Sequence, residues 1–181
     1  MSFLADLQVH LADEQPDWTA ELLDDGKVLR VREADAVDAA KGPVFHLREE
    51  DGTVVLDGLW RIPVRGPQAA KARELIVDYV ADGIENHGWE VPVRLRGGPR
   101  SGLRLSKRRE DLVGRLLLAR KVPGPDGEVA RAEVYKWRLR KNGEGEYVCV
   151  HERTLVGDEV DRFLRRGVES TGPFVLVHDR Q

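Results

Sequence analysis

Residues 134–153 read Val-Tyr-Lys-Trp-Arg-Leu-Arg-Lys-Asn-Gly-Glu-Gly-Glu-Tyr-Val-Cys-Val-His-Glu-Arg, and this stretch decides how the chain is read. Tyr135, Trp137 and Leu139 alternate with Lys136, Arg138 and Arg140, and a strand sends such alternating sets to opposite faces of a sheet. Asn142-Gly143 suits a tight turn, because both residue types tolerate positive φ. Pairing across that turn predicts Val148 and Val150 on the apolar face, with Tyr147 and Cys149 on the basic one. The expected product is an amphipathic hairpin with a basic ladder and one tyrosine in it.

Upstream the ladder is joined by more cations. Arg94, Arg96, Arg100, Arg104, Lys107, Arg108, Arg109 and Arg115 precede it, and from Arg94 to Lys141 there are 15 Lys/Arg against 5 Asp/Glu. The first 60 residues are the reverse, with 5 Lys/Arg against 14 Asp/Glu, so a formal net charge of -3 conceals two regions of opposite sign. Such segregation bears on partners and encounter rates rather than on fold. The residues singled out for a partner or nucleic acid are Arg104, Arg108, Arg115, Lys136, Arg138, Arg140 and Tyr147. Backbone phosphates suit the cations, and the tyrosine suits base stacking.

Outward from the ladder the rest of the chain reads as α+β, a mostly antiparallel sheet with helices on one face. Phe3 to Ala12 predicts a short opening helix ended by Pro16. Ala20, Leu22, Leu29 and Val31 share one face of a hairpin turning at Asp25-Gly26, and Phe45 and Leu47 face Val54 and Leu56 across Asp51-Gly52. Between them, Ala34 to Lys41 reads as a helical turn or a loop. Trp60, Ile62 and Val64 alternate with polar neighbours and Pro63, which places that strand at an edge or a bulge. Gly66-Pro67 opens the clearest helix, with Ala69, Ala72, Ile76, Tyr79 and Val80 on its buried stripe and Gly88 after its end. Trp89, Val91, Val93 and Leu95 form the following strand.

The glycine-rich segment 97–102 is the expected linker between an acidic half, residues 1–96, and a basic-to-mixed half, residues 103–181; one domain over 1–181 is the alternative. Ser106 is expected to cap a helix to about Arg120, with Leu112, Val113, Leu116 and Leu117 on one face. Pro123 to Gly127 is a turn. After the long hairpin, Val156, Val160, Phe163, Leu164 and Val168 fall on a helical stripe. The unbroken apolar run Phe174 to Val177 predicts a central strand. Both halves then share the order αββαβ, an order that a duplicated unit would produce, although no matching residues mark one.

Composition excludes several classes. With 181 residues, 41% hydrophobic and 34% charged, the chain is long enough for one sizeable core or two small ones and is not of disordered type. The single cysteine, Cys149, cannot form an internal disulfide, and neither a signal peptide nor a bilayer-spanning run is expected, so the expected location is the cytoplasm, or a virion. His10, His46, His87, His151 and His178 lack ligand spacing, no triad context surrounds any Ser, Cys or Asp, and Gly97-Gly98 lacks the frame of a phosphate loop. Glu133 and Lys136 are three apart and point opposite ways, unlike the acid-x-Lys core of metal-dependent nucleases. No enzyme, metal site or cofactor is expected. Cys149 between valines reads as an inert thiol, and His46 with Asp57 as a structural contact.

The helix Phe3 to Glu14, the paired strands, and Trp60-Arg61-Ile62-Pro63-Val64-Arg65 running into the helix Gln68 to Asn86 and a strand resemble, over residues 1–95, the tail-completion or tail-terminator proteins of tailed bacteriophages. Pro125-Asp126-Gly127 followed by Val134 to Leu139 is similar to that family's closing turn and strand. The resemblance implies a non-enzymatic, ring-forming structural component at the head-tail joint, with protein subunits, self or other, as partners. The alternatives are a nucleic-acid-binding accessory protein and a protein inhibitor or regulator.

Overall fold

The computed structural model describes residues 2–34, 42–58, 60–112, 115–171 and 174–178. The fold is α+β and divides into two units, Met1–His87 and Gly88–Gln181.

The first unit begins with helix α1 (Phe3–Glu14), whose N-terminus is capped by Ser2: its Oγ accepts from the Ala5 N–H at 3.2 Å. Phe3, Leu4, Leu7 and Leu11 are its buried side, while Val9 is exposed. Five strands follow as an antiparallel meander, β1 (Trp18–Leu23), β2 (Val28–Glu33), β3 (Val44–Glu50), β4 (Thr53–Leu56) and β5 (Trp60–Pro63). Leu22 pairs with Leu29, Leu29 with Leu47, Leu47 with Leu56 and Leu56 with Trp60, so one apolar row crosses the sheet. Asp51 and Gly52, at φ +48° and +77°, form the two-residue turn the sequence predicts. β5 lies at the sheet edge, where Pro63 is tolerated.

Helix α2 (Gln68–Glu85) buries Ala72, Ile76, Tyr79 and Val80. Both helices lie on the face of this apolar row: the Leu4 N–H of α1 reaches Glu49, and Tyr79 of α2 packs edge-on to Phe45 at 5.8 Å. Asp57 accepts the His46 backbone N–H at 2.8 Å, so their contact closes a turn and does not involve the imidazole.

The second unit holds strands β6 (Glu90–Arg96), β7 (Arg104–Arg108), β8 (Arg115–Gly124), β9 (Gly127–Trp137) and β10 (Tyr147–Val156), then helix α3 (Asp158–Thr171) and strand β11 (Phe174–His178). They form one mixed sheet in the order β11-β8-β9-β10-β6-β7, with β10 parallel to β6 and β11 parallel to β8. Val160 and Phe163 of α3 pack with Leu117, Ala132, Val134 and Leu155 on one face of the sheet.

The structure departs from the sequence-based expectations at several places. The stretch Ser106 to Arg120 is not a helix but β7, a single 3-10 turn at Arg109–Asp111, and β8. Leu116, Leu117 and Leu118 are all buried, the signature of a central strand covered on both faces, and short apolar runs do not distinguish the two by periodicity. Ser106 donates to Glu90 at 2.7 Å across the β6–β7 pair instead of capping. The segment 97–102 joins β6 to β7, with Leu95 and Leu103 bonded across it, and the units divide at His87 and Gly88. β11 lies at the edge of its sheet and not in the centre. The units do not share the order αββαβ: among the described residues, one is a five-stranded meander between two α-helices and the other a mixed sheet with one α-helix. Residues 35–41 and Val113 lie outside the described residues.

Candidate binding face

The basic ladder exists, but with a different composition. β9 and β10 are joined by residues 138–146, and Trp137 pairs with Cys149, Lys136 with Val150 and Tyr135 with His151. A tight turn at Asn142-Gly143 would have set the register one residue away, and a one-residue slip exchanges the faces of the whole strand. Val148 and Val150 therefore share the face of Lys136, and Tyr147 and Cys149 share the face of Trp137. The loop differs because Asn142 folds it locally, its Oδ1 accepting from the Glu144 and Glu146 N–H groups at 3.0 and 2.9 Å.

Across the sheet the register assembles two rows. One runs Arg104, Arg94, Val148 and Arg138, the last bonded through its N–H to Val148 O at 2.9 Å. The other runs Arg96, Val150, Lys136 and Arg115. Arg108, opposite Glu90, continues the same face at its β7 end. Of the residues singled out in the sequence, the structure gathers Arg104, Arg108, Arg115, Lys136 and Arg138. Arg140 lies exposed in the connecting loop. Tyr147 is on the other side, buried, with the Arg109 guanidinium 5.5 Å and the Lys141 ammonium 4.6 Å from its ring centre.

Three carboxylates on this face escaped the sequence reading. Glu146, only 8% exposed, sits 2.7 Å from Arg104 Nε and 3.3 Å from Arg94 Nη1 and accepts from Asn142 Nδ2 at 2.9 Å. Glu144 meets Arg94 at 2.9 Å and Arg104 at 3.2 Å. Glu152 is the extra residue of a β-bulge between His151 and Arg153, and it holds Arg115 in a two-point contact at 2.6 and 3.0 Å. That hydrogen-bonded contact with Arg115 keeps the Glu152 carboxyl below its ordinary range. Arg108 lies 4.0 Å from Glu110. Arg96, Lys136 and Arg138 have no carboxylate at ion-pair distance among the described residues. The signal for the loop was present as Asn142 two and four residues before Glu144 and Glu146; the bulge had none.

On the opposite face a second polar cluster joins β9 and β10. The Glu133 carboxylate, 3% exposed, accepts from Thr154 Oγ1 and from Arg131 Nε at 2.8 Å and lies 3.0 Å from His151 Nε2. One imidazole nitrogen faces both the carboxylate and, at 3.4 Å, the Thr154 hydroxyl. A nucleophile relay instead runs through both ring nitrogens of the histidine. The cluster is built to tie strands together. His151 needs room, which Gly98 provides at φ +67°: a Cβ there would come within 2.5 Å of the ring. Gly98→Ala is expected to lower the melting temperature more than Gly102→Ala. Both pay for a left-handed backbone of about 1–2 kcal/mol, but Gly102 opens to free space.

Among the described residues no group of three His, Cys, Asp or Glu side chains is placed to hold a metal ion, and no helix is long and apolar enough to cross a membrane. No protein-family model, curated protein or solved structure matches this chain.

Proposed function

We propose that this chain is a non-enzymatic assembly protein that docks an acidic protein surface on the basic face of its second sheet. The observation that carries the reading is the two rows of cations themselves: three of their arginines already hold carboxylates in hydrogen-bonded geometry, and Arg96, Lys136 and Arg138 stand exposed beside them. Nucleic acid is the weaker fit, because Tyr135, Trp137 and Tyr147, the aromatic rings of these strands, are buried on the opposite face and unavailable to stack on bases.

A second copy of the chain supplies an acidic surface. Residues 1–87 carry 18 Asp/Glu against 9 Lys/Arg, and residues 88–181 carry 20 Lys/Arg against 14 Asp/Glu. Contacts between unlike surfaces of identical copies run head to tail and close into rings when the rotation permits. The resemblance of residues 1–95 to phage tail-completion proteins makes a ring at a head-tail joint the assembly in which we place it.

Native mass spectrometry at low and high salt tests this. The wild type is expected to form oligomers that disperse with salt, and Lys136→Glu with Arg138→Glu to disperse them at low salt. Adding Glu21→Lys and Asp24→Lys is expected to restore them in part. A monomer at low salt that instead binds DNA or RNA, with log affinity falling against log salt at about 0.9 per phosphate contact, would overturn the proposal.

A further inference from the structure

The two glutamates of the 138–146 loop touch the same pair of arginines but are held very differently. Glu146 is buried and fixed, bonded to Arg104 Nε, Arg94 Nη1 and Asn142 Nδ2, with its own N–H on Asn142 Oδ1. It sets the two guanidinium groups in place. Glu144 is 61% exposed and engages them through one oxygen, Oε2, at 2.9 Å from Arg94 Nη1 and 3.2 Å from Arg104 Nη2. Gly143 and Gly145 flank it, the latter at φ +75°, and its own N–H is held by Asn142 Oδ1 at 3.0 Å, so a swing of Glu144 is a rotation of its side chain. Arg94 Nη1, which Glu146 also touches, and Arg104 Nη2 thus converge on one oxygen of a side chain that is mostly exposed.

We propose that Arg94 and Arg104 form a carboxylate clamp that Glu144 occupies in cis and that an acidic side chain of the docking partner takes over when Glu144 swings out. The inference rests on the reading of this face as a docking surface for acidic protein. An exposed ion pair contributes little, so exchanging one carboxylate for another is nearly balanced, and further contacts with Arg96, Arg138 and Lys136 decide the direction. Glu144 then weakens premature docking and selects partners able to reach both the clamp and the open cations.

Fluorescence anisotropy of a labelled oligoglutamate peptide at low salt tests this with the full chain. Glu144→Ala is expected to bind about 1.5- to five-fold tighter than wild type, the fold-change that corresponds to one exposed ion pair. Glu144→Asp is the discriminating variant: it keeps the charge but shortens the reach to the arginines, and it is expected to bind tighter as well. Glu128→Gln, which removes an exposed carboxylate paired to Lys121 at 3.6 Å near the β8–β9 turn, controls for net charge and is expected to leave affinity unchanged. Glu144→Asp at wild-type affinity, or Glu144→Ala no better than Glu128→Gln, overturns the clamp. The docking face survives that result if Lys136→Glu with Arg138→Glu still abolishes binding. No binding by any variant overturns both.

Discussion

Trp137→Ala is expected to destabilise the protein by about 3–5 kcal/mol, and Arg138→Ala, one residue on, by no more than about 0.5 kcal/mol. Trp137 is 3% exposed on a strand that lies between β8 and β10, opposite Cys149, which in turn pairs with Leu95 of β6. Truncation removes a large buried ring and leaves a cavity that the paired strands on either side cannot close. Arg138 points to the other face and is exposed. Urea denaturation followed by circular dichroism measures both, and equal losses would sink the strand assignment. Cys149 reports on the register independently. Burial pushes its thiol well above the ordinary range, so it is expected to resist thiol reagents in the folded protein at neutral pH and to react on unfolding.

What the sequence conveys here is set by the range of each interaction. The α1 stripe, the turn at Asp51-Gly52, the edge position of Pro63 and the α2 stripe are local: each follows from the spacing or conformational limits of a few neighbours, and each is found, while the first hairpin keeps its expected register but turns through a 3-10 turn at Asp24–Gly26 and not a two-residue one. The alternation from Tyr135 to Arg138 is local too, and Trp137 and Arg138 lie on the faces it predicts. The register of β10 against β9 depends on how nine loop residues fold, and there a single residue moved Tyr147 from the basic face to the buried one. Leu116 to Leu118 failed as a strand signal because burial on both sides erases alternation, and whether a strand lies there is decided by partners distant in sequence. The partly neutralised state of the basic face was hidden for a related reason. Charge counts along the chain placed Arg94 and Arg104 in a strongly basic region, yet the carboxylates that meet them come from 40 to 52 residues away.

Glu133 carries the second large effect, and its pH dependence gives the sign. Burial opposes its ionisation, but hydrogen bonds from Thr154, Arg131 and His151, together with the Arg131 charge, outweigh that cost and hold the carboxyl below its ordinary value of 4.5. A carboxyl that binds its proton less readily in the folded chain than in the unfolded one adds stability above the unfolded pKa, and the contribution fades as pH falls through the lower folded value. Glu133→Gln keeps the size of the side chain but removes the charge, leaving the Arg131 guanidinium without its counter-charge and the Thr154 hydroxyl beside an amide. Losing one partner of a buried ion pair costs about 3–5 kcal/mol, and the one-third exposure of Arg131 to water brings the expectation down to about 2–3 kcal/mol at pH 7. Urea unfolding of both proteins between pH 7 and pH 3 is expected to show a constant gap down to about pH 4.5 and a narrowing gap below it. A gap that widens as the solution is acidified would mean that the folded chain favours protonated Glu133, and the four-residue tie between β9 and β10 would then hold a neutral acid instead of a carboxylate.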